Sequence, residues 1–257
     1  MSSPSQKSQL HALGFLILAM LSVQSSASLA KVLFQNFPVL TVSAMRLCIG
    51  AFILAFIFQI WKINFSQVRW KAILSYGFAL AGMNALFYLS LERLPIGIAV
   101  AFEFIGPLSV ALYHAKQKYD FVWVTFAIIG LILLFPFNQA HSLDWIGVLF
   151  AMSAGACWAL YIIAGQKPSG ISGNHTVCLG MTVGACILLP ITFFSGSIGQ
   201  VIELPYFFYF IGLAVLASAL PFSLEMLALR NLTPLSFGTL MSLEPAVAAL
   251  SGLDRKS

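Results

Sequence analysis

The feature that most constrains this chain is a series of apolar stretches, each about 20 residues long, divided by short gaps. A helix rises about 1.5 Å per residue, so such a stretch reaches across the roughly 30 Å hydrocarbon core of a bilayer. Nine spans can be drawn, at roughly 11–34, 39–60, 71–92, 96–114, 120–137, 143–165, 175–195, 206–228 and 234–252. The gaps hold chain breakers: Pro38, Pro95, Pro168 with Gly170, Gly196 with Gly199, Pro205, and Asn231 through Pro234. The fold class that follows is an all-α polytopic transmembrane helix bundle.

Composition agrees. Charged residues make up 8% of the chain and hydrophobic ones 60%, with a mean hydropathy of +0.95. A soluble domain carries about 25% charge, so lipid must be the main solvent of this surface. The net charge of +5 does not indicate nucleic acid, because the basic residues lie in gaps between spans, where they set orientation. Cys48, Cys157, Cys178 and Cys186 all fall inside apolar runs with no metal-ligand spacing, and read as small buried thiols. No metal site or other cofactor is expected. The first run carries Gln24 and Lys31 and is too long for a signal sequence, so it reads as a retained helix.

With the N-terminus in the cytoplasm, the inner segments hold Lys7, Lys62, Arg69, Lys71, Lys116, Lys118, Lys167 and Arg230. The outer loops hold only Arg93 before the tail. The tail, with Asp254, Arg255 and Lys256, breaks this pattern after nine spans, so the chain reads as one helix short of an even number. A faint repeat is also visible: residues 91–112 (LERLPIGIAVAFEFIGPLSVAL) resemble 229–250 (LRNLTPLSFGTLMSLEPAVAAL), aligning Leu94 with Leu232 and Pro107 with Pro245. A five-helix unit is odd-numbered, so its repeat enters the membrane inverted, an architecture of transporters.

Ionisable groups inside spans cost about 2.5–3.5 kcal/mol each at a helix centre and need a partner or a water-filled cavity. The candidates are Lys31, Arg46, Glu103, Glu225 and Glu244. Arg46 and Glu103 each lie about 10 Å in from the outer ends of their spans, and Glu244 about 15 Å from its inner end. Arg46 and Glu103 can therefore share a level, either as a structural pair or as the two halves of a zwitterion site. Lys31 and Glu225 fall near span ends and read as snorkelling groups. A zwitterionic amino acid needs a cation for its carboxylate and an anion for its ammonium. Arg46 supplies the first, and Glu103 or Glu244 the second, or a proton carrier. Gln24, Ser28, Asn84, Tyr88, Trp158 and Tyr161 are polar or aromatic at mid-depth, and line the same cavity or simply pack between helices. Pro107 and Pro245 are hinges or tolerated kinks. The small-residue runs Gly77 to Ala81 and Ser153 to Cys157 mark close helix contacts.

Enzyme signatures are poor. The string Gly170-Ile-Ser-Gly173 is found in intramembrane serine proteases, but here it sits in a loop with His175 three residues after Ser172, and reads as a turn. His11, His114, His141 and His175 lie at span ends, where interfacial water solvates them.

Several segments together resemble the EamA-type drug/metabolite transporters, and among them the amino-acid exporters. They are residues 25–31 (SSASLAK), 82–90 (GMNALFYLS), 95–107 (PIGIAVAFEFIGP), 120–124 (DFVWV), 155–161 (GACWALY), 219–226 (ALPFSLEM) and 237–246 (FGTLMSLEPA). The resemblance implies two inverted five-helix repeats, here 11–137 and 143–252, the second holding four helices before Leu253-Asp-Arg-Lys-Ser257 closes the chain. It implies an inner-membrane, multi-pass exporter of small amino acids such as threonine and homoserine, driven by protons in antiport. The rivals are a broad drug or metabolite exporter of the same fold and an inactive truncated membrane protein. The implied partners are the amino-acid substrate, protons and the lipid bilayer, with no nucleic acid. Oligomeric state stays open, a homo-oligomer included.

Overall fold

The computed structural model describes residues 6–134, 143–194, 198–241 and 244 of the 257-residue chain. Every element among them is helical. In order they are α1 (Gln6–Asn36), α2 (Val39–Ile57), α3 (Trp70–Leu91), α4 (Ile96–Glu103), α5 (Ile105–His114), α6 (Lys118–Leu134), α7 (Trp145–Gln166), α8 (Gly173–Phe194), α9 (Ile198–Val201), α10 (Tyr206–Ala214), α11 (Leu220–Asn231) and α12 (Pro234–Met241). Two short 3₁₀ turns lie between α2 and α3, and a π-turn, Val215–Ala219, joins α10 to α11.

Among the described residues seven helical segments are long and apolar enough to cross a membrane: Leu10–Asn36, Val39–Ile57, Trp70–Leu91, Ile96–His114, Trp145–Gln166, Gly173–Phe194 and Tyr206–Asn231. They match seven of the nine expected spans. α6 has 17 described residues, and the expected span 120–137 runs beyond them. The span 234–252 is described only for α12 and Glu244.

Two spans are not the uniform helices that hydropathy suggests. The fourth is broken at Phe104 into α4 and α5. Pro107 has no N–H for the carbonyl of Glu103, four residues back, so the ladder opens where the buried glutamate sits. The eighth contains the π-turn. In that register Pro221 would have served the carbonyl of Leu216, and the Ser22 hydroxyl of α1 donates to it at 2.6 Å instead.

The bundle is apolar inside and out, and its surface faces lipid. Phe52, Phe78, Phe126, Leu149 and Phe194 are exposed along the helices. At one end of the bundle Trp61, Trp70, Tyr113 and Tyr119 are exposed, and at the other Trp145, as in interfacial aromatic belts. The first is called the basal end, since it bears the start of α1 and the basic residues Lys62, Arg69, Lys71, Lys116, Lys118, Lys167 and Arg230. The opposite, apical end carries Arg93.

In lipid, close packing rather than water expulsion holds helices together, and small residues permit it. α3 lies along α7 and α8, α2 along α8, α1 along α11, and α5 against α7 and α12. A Cβ on Gly106 would fall 1.9 Å from the carbonyl oxygen of Gly155, and one on Gly155 would fall 2.5 Å from that of Glu103. The backbones of the broken fourth span and of α7 are therefore in direct contact. Gly77 and Gly180 join α3 to α8 in the same way. The small-residue runs expected to mark helix contacts do so. Of the four cysteines expected to be buried, Cys178 is buried, Cys48 and Cys157 are half-buried, and Cys186 is exposed.

Each end is tied by polar contacts. At the basal end Arg230 donates to Ser169 Oγ (3.1 Å), Thr176 Oγ1 (3.0 Å) and the Ile171 carbonyl (3.3 Å). The Arg69 amide donates to the Ser169 carbonyl at 2.9 Å. Ser172 caps α8, accepting from the His175 amide at 3.3 Å. His175 Nε2 lies 2.9 Å from the Phe58 carbonyl, so it carries the ring proton and Nδ1 accepts from the Ser172 hydroxyl at 2.9 Å. This is the reverse of the ring orientation in a hydrolytic triad, and Ser172 is an exposed cap in a turn.

At the apical end the Tyr206 hydroxyl donates to Asn36 (3.1 Å), and Arg93 pairs with Asp144 at 2.9 Å. Asp144 also caps α7 by accepting from the amides of Ile146 and Gly147. The Arg93 hydrogen bond and these amides hold the Asp144 carboxyl below the usual carboxylate range. Its contribution to stability is therefore present above about pH 4, the unfolded value, and is lost as pH falls through the lower folded value. Thermal melts in detergent should show Asp144→Asn less stable than the parent at neutral pH, the gap closing in acid. A gap unchanged into strong acid would refute the assignment.

Candidate functional site

Arg46 is the one basic side chain buried in the bundle among the described residues. It lies on α2, about 10 Å from the apical end. One Nη donates to Asn84 Oδ1 of α3, and the guanidinium carbon stands 5.2 Å from the centroid of the Tyr88 ring one turn further along. Asn84 is oriented by donating its own amide to the Leu80 carbonyl at 2.8 Å. Arg46 Nε is buried and has no partner among the described residues.

Glu103 is buried at the break between α4 and α5. It feels the charge of Arg46, yet the two form no ion pair; Arg93–Asp144 is the one ion pair within 4.0 Å among the described residues. The direct partner of Arg46 is Asn84. A cation and an anion near each other and not neutralised by contact are what a zwitterion requires. Trp158 of α7 packs edge-on to Phe104, the residue after Glu103, at 4.8 Å. Its Nε1–H is buried without a partner among the described residues, as are the hydroxyls of Ser43, one turn before Arg46 on α2, and of Ser218 in the π-turn.

A second polar group lies in the basal half. The Tyr161 hydroxyl of α7 donates to Glu225 Oε2 of α11 at 3.0 Å. The Tyr161 ring packs on Tyr76 of α3 at 4.9 Å. Glu225, expected to snorkel from a span end, is buried; α11 runs to Asn231, three residues past the expected end, which places the carboxylate deeper. Glu244 is half-buried and couples electrostatically to both Glu103 and Glu225.

Of the residues expected at a site, the structure joins Arg46, Asn84 and Tyr88 in the apical half, sets Trp158 against Phe104 beside Glu103, and pairs Tyr161 with Glu225 in the basal half. Gln24 is half-buried on α1 between the buried Ser22 and Ser26, whereas Ser28, expected in the cavity, is exposed. Lys31 is exposed, as a snorkelling lysine should be. Pro107 is buried in α5; Pro245 lies outside the described residues. Ser43, Ser218, Tyr76 and Glu225 lie outside the set of site residues that the sequence suggests. Of these only Glu225 carried a signal, its charge.

A polytopic helix bundle with buried, incompletely paired charges at mid-depth is built as a membrane transporter. The profile of the EamA-like transporter family matches residues 145–253, and the chain belongs to that family. It is 45% identical to the threonine/homoserine exporter RhtA of Salmonella typhimurium over 242 residues, 93% of this chain and 81% of the relative. It is 46% identical to the protein of the same name from Escherichia coli K12 over 243 residues, with the same coverage. A crystal structure of another protein shares the fold at a TM-score of 0.70 and 15% identity, covering 95% of this chain and 87% of its own. The chain is thus a multi-pass membrane transporter and not an enzyme.

Proposed function

We propose that this protein exports threonine, homoserine and similar small amino acids from the cytoplasm across the inner membrane, in exchange for protons. The observation that carries the reading is the 45% identity to named threonine/homoserine exporters over 93% of the chain. The site supports it. Arg46 binds the substrate carboxylate through Nε, which has no partner among the described residues. Glu103 takes the ammonium, or a proton when the substrate has left. The Ser43, Ser218 and Trp158 groups, unpartnered among the described residues, suit a substrate hydroxyl.

The basal end is the cytoplasmic one, supported by its excess of Lys and Arg. Two inverted repeats, 11–137 and 143–252, are supported by reciprocal packing: α1 on α11 mirrors α7 on α3, α2 meets α8, and α5 meets α12. Alternating access between them would break the basal ties of His175 to Phe58 and of Arg69 to Ser169 in one state and the apical Arg93–Asp144 tie in the other, with Pro107 and Pro245 as hinges. Cells lacking their own exporters and expressing the chain should release labelled homoserine and threonine several times faster than vector controls. Equal rates, with the protein present in the membrane, would end the reading.

A further inference from the structure

We propose that the groove between α3 and α8 binds an anionic phospholipid, with an acyl chain in the groove and the phosphate at its basal mouth, held by Lys62, Arg69 and Lys71. Such binding depends on the membrane setting of the chain and not on the solute it carries.

The groove has a volume of about 410 Å³ and is lined by Leu74, Phe78, Thr182, Val183, Cys186 and Ile187. All of these but Val183 are exposed, so it opens sideways to the membrane rather than into the bundle. Small residues create it. Gly77 of α3 meets Gly180 and Val183 of α8, so the two backbones touch there. The larger Leu74, Phe78 and Ile187 stand beside that line of contact as walls. The one hydroxyl in the lining, that of Thr182, donates back to the Cys178 carbonyl at 2.8 Å. Nothing in the groove therefore requires water, and a hydrocarbon chain fills it without leaving a polar group unsatisfied.

The loop between α2 and α3 closes the basal end of the groove. Its Ile60, Ile63 and Val68 pack in one cluster with Ile73 of α3 and with Leu179 and Val183 of α8. Val183 belongs both to this cluster and to the groove lining, so the loop lies directly below the groove. Lys62, Arg69 and Lys71 stand on the loop and on the first turn of α3. All three are exposed, and their side chains make no hydrogen bond or ion pair among the described residues. Residues 58–71 contain no Asp or Glu, so nothing local cancels the charge. Lys71, Leu74 and Phe78 recur at i, i+3 and i+7, which puts them on one face of α3. Lys71 then lies about 10 Å basal of Phe78 along that face.

Trp61, Phe65 and Trp70 are exposed around the same mouth, with the Phe65 and Trp70 rings stacked at 6.4 Å. Exposed aromatic residues of this kind mark the level of the lipid head groups. A basic pocket at that level, opening between two spanning helices, is the arrangement that holds anionic head groups. A zwitterionic head group carries its own cation and gains less from it. The same loop already reaches across to the α7–α8 side through the Arg69 amide on the Ser169 carbonyl and the Phe58 carbonyl on His175. A lipid bridging this loop, α3 and α8 adds to those ties.

Native mass spectrometry of the purified chain in detergent tests the head-group half. The probes are phosphatidylglycerol and phosphatidylcholine with identical acyl chains. Phosphatidylglycerol adducts should exceed phosphatidylcholine adducts severalfold in the parent, and each of Lys62→Gln, Arg69→Gln and Lys71→Gln should weaken that binding about fivefold. Equal binding of the two lipids by the parent would overturn the proposal, as would undiminished preference in the triple variant. Alkylation of Cys186, followed at its own peptide, tests the chain half. Added phosphatidylglycerol should slow it severalfold in the parent but not in the monodisperse triple variant, and glycerol phosphate, which has no chains, should not slow it. Protection by glycerol phosphate, or equal protection by phosphatidylcholine, would contradict a lipid held by both ends. Protection that rises with protein concentration and ignores lipid would mean that a second copy of the chain covers the groove.

Discussion

Replacing Arg46 by alanine should lower homoserine and threonine export about 100-fold while leaving the protein in the membrane. A charge-assisted, bidentate bond to a carboxylate contributes up to about 3 kcal/mol, and more where water is excluded. No other described basic side chain is buried within the bundle to replace it. Stability should change little in comparison. The alanine variant strips Asn84 Oδ1 of its donor, a cost of about 1–3 kcal/mol, but it also removes a cation from an apolar interior, which offsets that cost. Arg46→Lys keeps the charge without the planar fork and should fall between, about tenfold down. Export rates normalised to membrane protein level check the series. If Arg46→Ala exports at the parental rate, the carboxylate is held elsewhere.

Gly155→Leu should be the most damaging single change in the packing. The added Cβ would meet the Glu103 carbonyl oxygen at 2.5 Å, and the neighbouring Gly106 is already pressed on the Gly155 carbonyl. These are backbone atoms, so α5 and α7 must move apart, carrying Glu103 and the Phe104–Trp158 contact with them. Overpacking of this kind costs about 1–3 kcal/mol or more, and the displaced carboxylate would also disable transport. Gly14→Ala and Gly130→Ala are the controls: nothing lies within 4 Å of a Cβ at either position, and alanine is the better helix former. Detergent melts and export should both fall for Gly155→Leu and neither for the controls. A stable, active Gly155→Leu protein would mean that α5 and α7 are not in backbone contact.

Spans were legible in the sequence because each must be apolar for its whole length, and length alone separates them from loops. Which face of a span meets which neighbour was not. A helix such as α2 or α7 is apolar all round, so its pattern does not give the rotation that aims Arg46 at Asn84 rather than at Glu103. Pro107 announced the break in the fourth span. Pro221 gave no comparable warning of the π-turn, since a proline near the start of a helical segment is unremarkable. Glu225 differs for a simpler reason. Hydropathy ends its span near 228, and three further residues of α11 carry the carboxylate about 4.5 Å deeper. The depth of Tyr161 is legible in the sequence, but that the carboxylate it serves is Glu225 is not.

The central claim is that a substrate carboxylate is read by Arg46 in an amino-acid exporter. Counterflow of labelled homoserine into liposomes holding the purified protein tests it most directly, with threonine and its alcohol analogue threoninol as competitors. The account predicts counterflow that threonine suppresses and threoninol, which lacks the carboxylate, does not. Absence of counterflow, or equal suppression by the two, would contradict it.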